Sequence, residues 1–396
     1  MSDAGDAIEL LTVGRISVDL YAEQLGVPLN EVRSFRKSVG GTATNVAVAT
    51  ARLGHHAAVF TRLGDDPMGG YVRWALQETF GVDTRFVGTN PSLPTSLAFA
   101  TMEDPGEPVI VFYRQPNAPD MTIESADMDR EVVESVPILW FPTSSLSAEP
   151  SRSTIHDLLA WRSRRTHTVL DLDWRPQFWR SPADATAELD QVLDHVTMAI
   201  GNRAECEVAV GERDPDRAAE KLLARGLSAA IVKMGGEGVL VATADGVREQ
   251  VAPYPVEVVC GLGAGDAFGG AFCHGLLSGW DIVRCVRAGN AAGAIVASRL
   301  MCADDMFQFT DDTTVEQIDD YERSLVEYVA TLEGVESYRV GRDARINPGT
   351  YDLAIVAEFT DEAAFREYFD GERHKEIQRN TAAMIAAKAS SQSRFE

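Results

Sequence analysis

Short apolar runs alternate with small-residue helical stretches from Ile8 onward: ELLTVGRISVDL, TATNVAVATARLG, AAVFTRLGDD and MGGYVRWALQETFG follow one another. The spacing of apolar positions switches between strand and helix periods, and a βαβα order of this kind predicts a mostly parallel sheet with helices on its faces. VPILWFPTS, THTVLDLDW, VTMAIGN, SAAIVKMG and GVLVATADG continue the rhythm as strands, each next to a helical segment. Residues 1–305 are therefore expected to form one large α/β domain.

Two stretches break the rhythm, AEQLGVPLNEVRSFRKSVGG and TSLAFATMEDPGEPVIVFYRQPNA. Both alternate in the β manner and contain turn residues, but no helix follows either, as expected of strands that leave the main sheet to form a β-flap. Such a lid would close over the carboxyl ends of the sheet strands, where open α/β sheets bind ligands.

After Met306 the pattern changes. FQFTDDTTVEQIDDYERSLVEYVATLEG reads as a short strand and an acidic amphipathic helix, followed by the strands VESYRVGRDA and YDLAIVAEFT and the helix DEAAFREYFDGERHKEI. Strand, helix, strand, strand, helix is the order of a ferredoxin-like α+β module. Residues 306–396 are assigned to it, with KASSQSRFE as a frayed tail.

Composition narrows the possible partners. The 396 residues carry a formal net charge of -24, so the basic footprint that nucleic acid or an anionic membrane surface requires is missing. The five cysteines, Cys206, Cys260, Cys273, Cys285 and Cys302, form no CxxC pair and no zinc-type cluster with histidine. The amino terminus is acidic and no apolar run approaches the ~20 residues of a membrane span, so a cytoplasmic protein is expected.

Chemistry concentrates in two glycine-containing turns. In GLGAGDAFGGAFCHGLLSG a bare turn runs straight into a helix, so Gly263, Ala264 and Gly265 can direct first-turn N–H groups at an anion. Asp266 stands where a Walker-type loop would carry lysine. Small residues at these positions equally suit close packing of the helix. In VGGTATNVAVATARLG, Gly40 and Gly41 precede a helix bearing Asn45, whose amide offers donor and acceptor to a polyol, or merely sits in a first helical turn.

GGTATN before a helix, Asp19 in GRISVDL and GAGDAFGGAF some two hundred residues later resemble the ribokinase-like, or pfkB-type, carbohydrate kinases over Ile8 to Asp305. The resemblance implies Mg²⁺-assisted transfer of the γ-phosphoryl group of ATP to a sugar hydroxyl. It makes Asp266 the base, Gly263, Ala264 and Gly265 the anion hole, and Asp19, Gly40, Gly41 and Asn45 the substrate contacts. It places Asn202 and Glu205 of GNRAECE near the magnesium and phosphates, with Glu205 acting on the metal indirectly. Lys233, Gly235 and Gly238 fall on the nucleotide side, and Asn290 near the adenine. Members that depend on potassium usually carry an Asp-Thr pair just before the GAGD loop. Here Cys260, Gly261 and Leu262 stand there, so the resemblance does not extend to potassium dependence.

Arg114 of VFYRQPNAPD and Arg175 of LDLDWRPQFW fall where the flap and a sheet strand would meet the site. A guanidinium fork suits a carboxylate, which favours a sugar acid as substrate, while a surface ion pair is the plainer reading of each. GRISVDLY, FYR, DLDWRPQFW and CGLGAGDAFGGAFCHGLLSGW resemble the branch acting on 5-dehydro-2-deoxygluconate in myo-inositol catabolism. Kinases of 2-dehydro-3-deoxygluconate or of fructose are the alternatives, and a sugar-binding regulator that retained the kinase fold is the non-enzyme alternative.

The carboxyl-terminal stretch YRVGRDARINPGTYDLAIVAEFTDEAAFREYFDGERHKEI resembles the stress-responsive A/B barrel family, whose modules usually pair. That resemblance implies a homodimer or higher homo-oligomer, and it puts His374 at a recurrent histidine that in some members faces a ligand pocket.

Overall fold

The computed structural model describes residues 7–24, 26–104, 107–115, 117–165, 167–254, 256, 262–297, 305–309, 314–342, 353–360, 362–381 and 384–389. The chain folds as two compact units, Met1–Arg299 and Leu300–Glu396. Among the described residues no helix is long and apolar enough to cross a membrane.

The first unit opens with strand β1 (Leu10–Val13), from which Gly14–Ile16 carries the chain into β2 (Ser17–Ala22) and β3 (Phe35–Gly40). Helix α1 (Thr42–Arg52), β4 (Ala57–Gly64), α2 (Pro67–Trp74), β5 (Val87–Asn90), β6 (Leu97–Asp104) and β7 (Glu107–Tyr113) follow. Then come α3 (Arg130–Ser135), β8 (Ile138–Pro142), α4 (Ser151–Arg162), β9 (Thr168–Asp171), α5 (Pro182–Val192), β10 (Met198–Asn202), α6 (Arg203–Val210) and α7 (Pro215–Ala224). The unit closes with β11 (Ala229–Lys233), β12 (Val239–Thr243), β13 (Arg248–Val251), α8 (Ala264–Leu277) and α9 (Ile282–Ala297).

Nine strands form the main sheet in the order β13-β12-β11-β10-β9-β8-β1-β4-β5. From β11 to β5 all neighbours are parallel, whereas β11, β12 and β13 pair antiparallel. The edge departs from the expected alternation because β11 and β12 are joined by a short turn through Gly235–Glu237, too short for a crossover helix. Alternate residues of each central strand feed two cores. Leu11, Val13, Phe60, Leu139 and Phe141 belong to one, and Leu10, Val59, Ile138, Trp140 and Val169 to the other. A sheet covered on both faces has near-continuous apolar strands, which is why β8 reads ILWFP with every residue buried.

The flap is a separate four-stranded sheet, β3-β2-β6-β7, in which β3, β6 and β7 come from the two stretches that broke the rhythm and β2 from the end of ELLTVGRISVDL; contrary to expectation, the first stretch leads directly into a helix, α1. ELLTVGRISVDL is thus two strands in two sheets.

The second unit contains β14 (Asp305–Phe309), α10 (Val315–Val329), β15 (Val335–Arg342), β16 (Leu353–Phe359), α11 (Glu362–Asp370), α12 (Glu372–Thr381) and β17 (Ile385–Ala389). Its sheet order is β15-β16-β14-β17, the ferredoxin-like arrangement. Lys388 and Ala389, expected in the frayed tail, belong to β17, which pairs with β14. The tail's polar composition hid this, because the strand's partner is the remote β14. His374 lies buried in the unit's aromatic core, 4.5 Å from the Tyr368 ring centroid and hydrogen-bonded to Gln378 at 2.8 Å.

Candidate active site

Asp266 occupies the first turn of α8, whose cap residue Gly263 is left-handed at φ 77° and receives no side-chain cap bond. The N–H groups at this end are thus unclaimed by any capping side chain, and the helix dipole adds positive potential. Nδ2 of Asn45, one turn into α1, donates to Oδ2 of Asp266 at 2.7 Å. Burial pushes the Asp266 carboxyl up to about 6, with the charge of Asp173 adding to the rise and Asn45, Arg15 and Arg175 restraining it. It is therefore ionised at neutral pH and poised near its own midpoint, which suits a general base.

Small residues further along α8 serve packing. The front of α8 is bare, and further along Gly270 lies so close to α1 that a Cβ there would stand 2.2 Å from Cβ of Ala49. Close packing of α8 on α1 is what brings Asp266 to Asn45.

The Gly40–Gly41 turn is shaped by the same crowding. A Cβ on Gly40 would meet the Asp19 carboxylate at 2.0 Å, and one on Gly41, at φ 107°, would meet the Arg15 carbonyl at 2.2 Å. Asp19, in β2, accepts from Ser17 Oγ at 2.7 Å, and burial pushes it above the ordinary aspartate range.

Asp173, which sequence reasoning passed over, ties the site together. It accepts from Thr42 Oγ1 at 3.1 Å, Ser144 Oγ at 3.0 Å and Arg175 Nε at 2.8 Å. Burial opposes its charge, but Arg175, Arg15 and the two hydroxyls outweigh burial and hold it below the ordinary range. Asp171 beside it behaves oppositely. Burial pushes it up to about 7, and Asp173, Glu205 and Asp266 add to the rise against the pull of Lys233. Asp171, Asp173 and Arg175 alternate in sequence where the chain leaves β9, a spacing that would have flagged the two acids beforehand.

Lys233 ends β11, and its Nζ lies 3.5 Å from where a Cβ on Gly265 would stand. Burial disfavours its charge, yet Glu205, Asp171, Asp173 and Asp266 together hold the ammonium above the ordinary lysine value. Asn202 and Glu205 form a capping box on α6: the Asn202 side chain accepts from the N–H of Ala204 and Glu205, and Glu205 Oε2 accepts from the Asn202 N–H at 2.6 Å. Gly235 and Gly238 flank the hairpin turn after Lys233.

Two expected contacts are engaged elsewhere. Nδ2 of Asn290 donates to the Ala252 carbonyl at 2.8 Å, joining α9 to the segment after β13. Arg114 directs both terminal nitrogens at the fully buried Asp120, at 2.9 and 3.4 Å, so its fork is occupied within the protein. Of Cys260, Gly261 and Leu262, on which the expectation about potassium rests, the first two lie outside the described residues. Cys206, Cys273 and Cys285 are buried free thiols. Burial pushes Cys206 up to about 12 and Cys285 to about 11, so neither is a nucleophile at neutral pH.

A mostly parallel sheet with a four-stranded flap thus brings an aspartate at a helix N-terminus without a side-chain cap together with Asn45, and a lysine ammonium lies close to the same turn. Residues 7–307 match the pfkB family carbohydrate kinases, and residues 305–390 match the stress responsive A/B barrel domain. The chain belongs to the pfkB family and is an ATP-dependent sugar kinase.

A 5-dehydro-2-deoxygluconokinase from Geobacillus thermodenitrificans is 30% identical over 327 residues, 81% of this chain and 94% of the relative. The crystal structure of a PfkB protein from Polaromonas sp. JS666 superposes with a TM-score of 0.67 at 24% identity, covering 74% of this chain and 97% of that one. A putative ribokinase II from E. coli in complex with ATP and Mg²⁺ gives 0.66 at 24% identity, covering 74% and 93%.

Proposed function

We propose that the chain transfers the γ-phosphoryl group of ATP to the terminal hydroxyl of a keto-deoxy sugar acid, 5-dehydro-2-deoxy-D-gluconate, to give the 6-phosphate. The observation that carries the chemistry is the Asn45–Asp266 hydrogen bond at the uncapped front of α8. The names of the curated relatives and the arginines around Asp173 support the acid substrate.

ATP fits the donor set. Among the described residues no side chain caps the first turn of α8, and Lys233 brings a cation to the same place. Among the described residues no group of three or more His, Cys, Asp or Glu could hold a metal directly. Mg²⁺ would therefore be held chiefly by phosphate and water, with Glu205 acting through water. When bound, ATP with Mg²⁺ supplies the phosphoryl group and screens part of its charge.

The chain's own residues do the rest. Asp266 Oδ accepts the proton of the attacking hydroxyl while Asn45 holds the carboxylate in place. Asp19 and Asn45 receive the sugar hydroxyls, with Gly40 leaving room for the Asp19 carboxylate and Gly41 for the Arg15 backbone. The N–H donors from Gly263 to Gly265 and the Lys233 ammonium stabilise charge on the moving phosphoryl oxygens, typically the largest contribution in such transfers. The flap is suited to cover the acceptor and keep water from competing.

The carboxyl-terminal module is read as a dimerisation module, on its match to the A/B barrel domain and its four-stranded antiparallel sheet. A monomeric mass for the full chain by light scattering would sink that part.

Release of ADP measured with 5-dehydro-2-deoxygluconate, 2-dehydro-3-deoxygluconate and fructose tests the reading. The first is expected to give the highest kcat/KM, and clear preference for fructose would overturn the acid assignment.

A further inference from the structure

Three guanidinium groups gather around the substrate side of the site, and their hydrogen bonds divide them by task. Arg114 is 7% exposed and its fork is filled by Asp120, whose Oδ2 also accepts the Ile16 N–H at 3.1 Å. This ion pair therefore anchors the Arg15–Ile16 step between β1 and β2. Arg175 commits Nε to Asp173.

Arg15 is different. It is 6% exposed, lies 5.4 Å from the Phe112 ring centroid and 5.9 Å from that of Phe178, and donates Nη2 to Thr42 Oγ1 at 3.2 Å. Its Nε is buried with no hydrogen-bond partner among the described residues. A buried donor left unmatched costs about 1–3 kcal/mol, more on a charged group, so an acceptor from a ligand is favoured there. Electrostatics points the same way. The charge of Arg15 acts on Asp19, Asp173 and Asp266, which come from β2, the segment after β9 and α8. An anionic substrate adds one more negative charge to these acids and needs a local cation to be admitted.

We propose that Arg15 is the residue that selects an acid substrate, receiving its carboxylate on the donors left over from Thr42, with Arg114 and Asp120 as the positioning pair beneath it. Phe112 and Phe178 lie within cation–π reach of the guanidinium, a contact a lysine would not make in the same way. The inference rests on the sugar-acid reading above and names the group that carries it.

The test compares the full chain with Arg15→Met, Arg15→Lys and Arg114→Met. For each, kcat/KM is measured with 5-dehydro-2-deoxygluconate and with the neutral ketose fructose, and melting is followed in parallel. The ratio of acid to neutral kcat/KM is expected to fall about 10–100-fold in Arg15→Met, mainly through KM for the acid, as for loss of a hydrogen bond to a charged group. Arg15→Lys keeps the charge without the fork. It is expected to lose part of the ratio, and it carries the test should the methionine variant not fold. Arg114→Met is expected to lower the melting temperature and both activities together. An unchanged ratio in the Arg15 variants, or equal loss on both substrates, overturns the inference alone. A wild-type ratio below unity overturns the sugar-acid reading and this inference with it.

Discussion

Asn45 donates a 2.7 Å hydrogen bond to Asp266, joining residues 221 positions apart and closing the two glycine-rich turns into one site. The amide favours the ionised carboxylate, while burial favours the protonated one.

Replacing Asp266 by Asn removes the proton acceptor and leaves the first-turn N–H groups in place. Turnover should fall on the order of 10²–10⁴-fold, while titration calorimetry should still detect nucleotide. Near-wild-type turnover in this variant would eliminate Asp266 as the base.

The pH profile follows from the same group. Asp266 is pushed up to about 6 and must be ionised to work, so kcat/KM should decline as pH drops through that value. In Asn45→Ala the restraining hydrogen bond is gone, and the acid limb should move upward by about one pH. A limb that stays put would mean that another group sets it.

Asp171 makes a prediction about stability rather than rate. Its folded value of about 7 lies above the ordinary 3.8, so the folded chain binds more protons in that window and the group's effect on stability worsens as pH rises through it. Asp171→Asn should therefore raise the melting temperature more at pH 8 than at pH 5. The opposite order would show that attraction to Lys233 outweighs burial and the acids Asp173, Glu205 and Asp266.

Gly41→Ala combines a left-handed backbone with a clash against the Arg15 carbonyl. A loss of roughly 1–3 kcal/mol in chemical unfolding is expected, because neither the backbone at Arg15 nor the turn can yield without moving the site. An unaltered midpoint would count against this packing.

A chain ending at Asp305 should fold and retain kinase turnover. The family match ends at residue 307, and 81% of this chain covers 94% of a 30% identical relative. Loss of folding in the shortened chain, read by circular dichroism, would show that the second unit is needed for the first.

Much of the fold was legible because its signals are local. Strand and helix periods, the glycines before α1 and α8, and the two rhythm-breaking stretches each depend on neighbouring residues alone. The antiparallel edge, the split of ELLTVGRISVDL between two sheets and the pairing of β17 with β14 were not legible, since strand partners are chosen across the chain.

The site divides in the same way. By itself the sequence determined that an acid, Asp266, follows a bare turn at a helix start and that Asn45 follows another, because glycine positions and helix starts are matters of local backbone sterics. Only the tertiary structure decided that these two side chains meet, that Asp173 gathers Thr42, Ser144 and Arg175, and that Arg114 turns inward to Asp120 while Arg15 keeps a donor unmatched. The physical reason is that a guanidinium looks the same in any sequence. Its role is set by which carboxylates the packing of remote elements brings within hydrogen-bond reach, and by which donors that packing leaves over.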